Sequence, residues 1–244
     1  FGVLGSGSAV HSLYLQSSTV SGRSEVGLLA GRSENATISD VSVAGTVSAN
    51  SGFVGGVVGL ATDNTSFVRV TSLASVSTTS GASSVGGLVG QLENGSVQES
   101  YAKANVSGGE NAGGLIGKLQ ASTVRDSYAR GTVNANSDNR SGGLVGWNLG
   151  GTIVTSYATG SVSGNASIGG LLGENTGSVQ FSYWDNLTTG QSLSAGSGTD
   201  NASGRTTAQL QQTISENGSL EGVYSFVTWD NETVWELRNV YDYP

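Results

Sequence analysis

The chain has no cysteine and no methionine among its 244 residues. Without cysteine there is no disulfide framework, no thiolate metal site and no cysteine nucleophile. Without methionine, residue 1 is not an initiator, and a longer parent protein is expected. There is one proline and one histidine, His11. A lone histidine builds neither a multi-histidine metal site nor a convincing Ser-His-Asp set. Charge is scarce: 11% of residues, a net charge of -8, and only Lys103 and Lys118 as lysines. Phosphate neutralisation needs clustered Lys and Arg, so nucleic acid is not an expected partner. No apolar run approaches the ~20 residues that span a bilayer, and no signal peptide is visible, so no membrane insertion is expected of this segment.

Glycine is abundant, at 39 residues, and it falls in a repeated phrase. Gly142-Gly143-Leu144-Val145-Gly146 is followed by Ile153, Ser156-Tyr157-Ala158 and Ser161-Val162-Ser163. Close copies start at Gly86, Gly113 and Gly169, and looser ones at Phe1, Val26 and Gly55. The second glycine falls at 2, 27, 56, 87, 114, 143 and 170, in steps of 25, 29, 31, 27, 29 and 27. Seven copies at a near-constant step make an array.

Gly-Gly-Leu-Val-Gly, a polar turn and then Val-x-x-Ser-Tyr-Ala resembles the GLUG repeat of bacterial and archaeal surface proteins. The resemblance covers about residues 1–192 and is weakest where Ser-Tyr-Ala becomes Leu13-Tyr14-Leu15, Val41-Ser42-Val43 or Val70-Thr71-Ser72. It implies a secreted β-helical stalk or adhesive segment and no active site.

The residues themselves lead to the same fold class. Each copy reads as three short strands separated by turns, which makes one coil of a parallel β-helix. A single copy cannot bury its apolar face, so stacking supplies the core. The expected architecture is all-β: a solenoid of about seven coils over 1–192, then a C-terminal cap, 193–244. The cap carries one short helix, Thr207 to Ile214, N-capped by Thr206. Val223, Phe226, Trp229 and Trp235 are available for its core.

Comparing copies separates inside from outside. The Ser100 and Ala102 positions are small or apolar in nearly every copy, so both are expected to point inward. An inward serine needs a hydrogen-bond partner, and the equivalent serine one coil away is the candidate. By alternation, Tyr101, Tyr128, Tyr157 and Tyr183 form an outward ladder. It reads either as stacking or as a face for sugars or a protein partner. The Leu88 and Val89 positions are both aliphatic in every copy. Either the glycines bend the chain at a corner, or one row lies outside under a second layer or partner. In the third strand, Val47, Val76, Val106, Val133 and Val162 point in, and flanking Ser, Thr and Asn point out in two hydroxyl-rich files. Such a face either is simply solvated or orders water.

Asn-x-Ser/Thr occurs at Asn35, Asn64, Asn94, Asn105, Asn139, Asn165, Asn186, Asn201, Asn217 and Asn231, ten of seventeen asparagines. Composition alone predicts roughly four. The excess points to an exported, N-glycosylated protein, although turn chemistry also gathers these residues. Heavy glycosylation without cysteine fits an archaeal surface.

Catalysis is not expected. Asp40, Glu99 and Asp126 share one repeat position, as paired carboxylates in a polysaccharide-active enzyme would. Arg69 interrupts them, and Arg125 and Lys103 lie close enough to neutralise them. No cofactor is expected, and no ligand spacing supports Ca2+. The functional expectation is an extracellular, cell-surface structural module that contacts other copies of itself or other surface proteins. An adhesin that binds carbohydrate or a receptor is the alternative.

Overall fold

The structure is a computed structural model, and it describes residues 1–79, 81–135 and 140–210. The chain winds as a parallel β-solenoid with three sheets. Sheet A has eight strands, sheet B seventeen and sheet C six. All pairings are parallel and join one coil to the next. Six coils cross all three sheets, and an incomplete seventh and eighth follow, so the expected seven coils become six complete ones. The rows predicted by repeat spacing lie directly above one another. Val89 sits over Ile116, Ile116 over Val145 and Val145 over Leu172. The N–H groups of Leu88, Leu115 and Leu144 donate to the carbonyls of Leu115, Leu144 and Leu171.

The strand boundaries differ from those read in the sequence. The glycine-rich phrase is a corner, not a strand. Ala82–Gly86 ends sheet C, Gly87 and Leu88 turn, and Val89–Glu93 starts sheet A. The turn interrupts alternation, so from the second coil onward the Leu88 and Val89 rows are both buried and neither needs a covering layer or partner there; in the first coil Val3 is exposed. Glycine is required at the turn. A Cβ on Gly87 would lie 2.1 Å from the Gly114 carbonyl oxygen and 2.9 Å from the Ala102 Cβ. The core is one aliphatic column running the length of the solenoid, each buried leucine contributing about 1.5–3 kcal/mol.

Sheet B carries the rest of the coil. In the first two coils it is continuous, Ala9–Gly22 and Thr37–Ala49. From the third coil onward it breaks into short segments, such as Ser96–Gln98, Tyr101–Ala102 and Val106–Ser107. The expected valines are buried, and their neighbours form two uncharged polar files.

Stacking continues past residue 192. Ala195–Gly198 pairs with Leu172–Asn175, and Ser203–Arg205 pairs with Tyr183–Asp185. Trp184 closes the seventh coil, its ring against Gly170 and Gly204 and its Nε1 donating to the Gln191 carbonyl at 3.0 Å. The fully buried Asp185 carboxylate accepts from the N–H groups of Leu187 and Thr188 and from the Thr207 hydroxyl. Thr206 caps Thr207–Leu210 as expected: its Oγ1 accepts from the Gln209 N–H, and Gln209 Oε1 accepts from the Thr206 N–H, a reciprocal capping box. The remaining helix and strand expectations, through Ile214 to Trp235, lie outside the described residues. So do the sequons at Asn139, Asn217 and Asn231.

Candidate functional surface

The residues that recur in every close copy are used in packing. Before each Ser-Tyr-Ala the backbone enters the left-handed region, at Glu99 (φ 51), Asp126 (φ 48) and Thr155 (φ 45). That bend delivers the serine hydroxyl into the interior. Ser127 Oγ donates to the Arg125 carbonyl at 2.7 Å and accepts from the Ser100 N–H at 3.2 Å. Ser100, Ser156 and Ser182 repeat the arrangement, accepting from the N–H groups of Val70, Ser127 and Ser156. The inward serine therefore has its partner one coil away, but that partner is the backbone N–H rather than the hydroxyl. Ala102, Ala129 and Ala158 then face Gly87, Gly114 and Gly143, which have no room for a side chain of their own.

The tyrosines stack. Tyr101 and Tyr128 lie 4.7 Å apart at 5°, and Tyr128 and Tyr157 lie 4.9 Å apart at 10°. Tyr183 continues the register over Tyr157, with the Arg205 guanidinium over its ring. The exposed ladder needs correction: Tyr101 is half-buried, and Tyr128, Tyr157 and Tyr183 are buried. Tyr128 is covered on both faces by neighbouring rings, and Tyr101 and Tyr157 on one face each.

The carboxylate row is an ion-pair row. Arg69, which interrupts it in sequence, binds Asp40 through Nε and Nη2 at 2.7 and 2.9 Å and approaches Glu99 at 3.7 Å. Asp126 pairs with Arg125 at 2.9 Å and accepts from the Thr155 hydroxyl. The Arg69 hydrogen bonds hold the Asp40 carboxyl below its usual range.

Two clusters were not anticipated. Lys118 and Arg140 flank the Trp147 ring at 4.8 and 4.3 Å, and Arg140 also pairs with Glu174 across sheets C and A. The signal was available: Lys118 and Trp147 are 29 residues apart, one repeat step. Inside the rod, the row that holds Leu92 and Leu119 continues as Asn148 and Asn175. Asn148 Nδ2 donates to Asn175 Oδ1 at 2.8 Å, and Asn175 Nδ2 donates to the Thr199 carbonyl at 2.9 Å.

The buried asparagines and the sequon asparagines do not overlap, and Asn50 and Asn134 are exposed without a sequon. All seven described sequon asparagines, Asn35, Asn64, Asn94, Asn105, Asn165, Asn186 and Asn201, are exposed. Among the described residues the three buried ones, Asn111, Asn148 and Asn175, all lie outside sequons. Asn35, Asn64 and Asn94 occupy one corner, between sheets A and B, on three successive coils.

Among the described residues no three metal-ligating side chains cluster, and no helix is long and apolar enough to cross a membrane. A family model, the GLUG motif, matches residues 22–48, 81–107, 108–134 and 137–163. Each matched segment is about one coil. No curated protein matches the chain.

Proposed function

Because this chain carries four GLUG motifs on a β-solenoid, we propose that it is an extracellular structural module: an N-glycosylated rod at a cell surface, building a stalk, sheath or filament. The observation that carries this reading is the division of the asparagines. Every described sequon asparagine is exposed, as a glycan acceptor must be, and among the described residues every buried asparagine lies outside a sequon.

Two features support a non-catalytic, assembling role. The recurrent serine, alanine and glycine side positions are filled by packing, and the shared carboxylates are paired with arginines. The strand Ala9–Gly22 pairs with Thr37–Ala49 along one edge, and among the described residues no strand pairs with its other edge. That edge of fourteen residues can take a further strand, whether from residues that precede Phe1 or from another chain, and other copies or other surface proteins are the proposed partners. An adhesin using the tyrosine ladder has less support, because three of its four rings are buried.

The test is intact-mass analysis of the full chain secreted from a host that N-glycosylates, with sedimentation of the same material. Sugar at several sequons and a concentration-dependent rise in assembly size are expected. A mass equal to that of the bare chain would remove the main support for surface exposure.

A further inference from the structure

We propose that Asn64 and Asn94 are a mutually exclusive pair of glycan acceptors that share one groove. This rests on the N-glycosylation reading above and adds a rule to it. The two asparagines lie on adjacent coils at the corner between sheets A and B, and both are exposed. Their backbones touch: the Asn64 N–H donates to the Asn94 carbonyl at 2.7 Å. Both are in the left-handed region, at φ 67 and 49. They line the same open groove, with Gly95, Ser96 and Ala121. The third coil has one more residue at this corner than its neighbours, since Asp63, Asn64 and Thr65 stand where the next coil has Asn94 and Gly95. The extra residue does not lift Asn64 away, because the backbone hydrogen bond persists.

Coils repeat every ~4.8 Å. A pyranose ring with its substituents is wider than one such step. A sugar on either amide therefore fills the groove that the other needs. Ala121 and then Gly150 take the same corner on the next two coils and offer no competing acceptor, and Asn35, the acceptor at this corner on the preceding coil, does not line the groove. Transfer joins Asn Nδ2 to the anomeric carbon of a lipid-linked sugar phosphate. The anomeric carbon–oxygen bond breaks, the lipid phosphate leaves with the electron pair, and the amide gives up one proton.

The test is site-by-site occupancy, by mass spectrometry, of the full chain secreted from a glycosylating host. Asn165, exposed and distant in sequence, is the internal control. Asn64→Gln is expected to raise occupancy at Asn94, and Asn94→Gln to raise it at Asn64, with Asn165 unchanged. Ser66→Ala and Ser96→Ala disable the same triplets while keeping the asparagines, and they are expected to give the same reciprocal rise. Full occupancy of both sites in the unaltered chain, or no response in any variant, overturns the exclusion and leaves glycosylation standing. No sugar at any of the seven described sequons overturns the underlying reading instead.

Discussion

The first three coils and the next four solve one problem in two ways. Each coil must bend sheet B and fill the space behind the bend. The early coils fill it with bulk: Val41 and Val43 are buried, and Leu13 and Leu15 pack against the core. The later coils use a hydroxyl and a methyl, Ser127 and Ala129, and the hydroxyl ties one coil to the next. Outside the bend, Tyr14 is exposed and alone, whereas Tyr128 is stacked on both faces. Bulk tolerates a continuous strand. The left-handed residue at the bend is common to both halves, at Ser12, Asp40 and Arg69 as at Glu99, Asp126 and Thr155, and the strand is already segmented in the third coil, which keeps Val70. The early half is held by volume and the later half by directed contacts, so equal substitutions should have unequal effects.

The largest difference is expected at the corner glycines, and it sets the first coil alone apart, since Gly27 and Gly56 are enclosed as tightly as the later ones. Gly2 and Gly143 hold the same motif position, but a Cβ on Gly2 meets nothing within 4 Å, while one on Gly143 lies 2.2 Å from the Gly170 carbonyl oxygen. Gly2→Ala should leave stability within about 0.5 kcal/mol of the parent. Gly143→Ala should destabilise by at least ~3 kcal/mol, the upper end of overpacking costs, because backbone rather than a side chain must move. Urea unfolding of both variants measures the gap; equal midpoints would deny that the coils stack this closely.

The serine bridge comes next. Ser127→Ala leaves the buried Ser100 N–H without its partner, at a cost of about 1–3 kcal/mol. Hydrogen exchange should show lost protection at the Ser100 amide specifically. Val41→Ala, at the same position in the early half, should lower stability without singling out one amide. For the tyrosines, Tyr128→Ser removes two stacked contacts, each about 0.5–1.5 kcal/mol beyond burial. Tyr14→Ser should cost less than about 0.5 kcal/mol. If the two tyrosine variants unfold alike, the stack is not what holds the later coils.

Register was the most legible feature, because it needs only the repeat length and the apolar pattern. Leu88, Leu115, Leu144 and Leu171 do lie rung upon rung. The corner was harder. Alternation along a strand predicts one buried row out of Leu88 and Val89, and only the turn at Gly87 buries both. The tyrosines were placed on the correct side of the sheet, but their burial comes from neighbours in adjacent coils, which a one-strand argument does not count. The Asn148 and Asn175 ladder breaks an aliphatic row, so periodicity alone offered no reason to place amides inside. Exposure of the sequons was expected, and the contrast that gives it force, the buried asparagines, needed coordinates.

The smallest effect is the most sharply signed. Asp40 in the early half and Asp126 in the later half share a repeat position, but their arginines differ in placement. Arg69 reaches Asp40 from the next coil, whereas Arg125 is the residue beside Asp126. Only the first pair links two coils. The Arg69 hydrogen bonds lower the Asp40 pKa in the folded chain, partial desolvation opposes them, and the Arg69 charge adds to the lowering. A lowered folded value means that the contribution is present in full above the unfolded carboxylate value of ~3.9 and is lost as pH falls through the folded one. Both side chains are largely exposed, so solvent and salt screen the pair and the contribution is small. Asp40→Asn should therefore be slightly less stable than the parent near neutral pH. The two should converge in acid, and high salt should narrow the gap. A gap that widens as pH falls would mean that Asp40 supports the early coils through its shape at the left-handed bend and not through its charge.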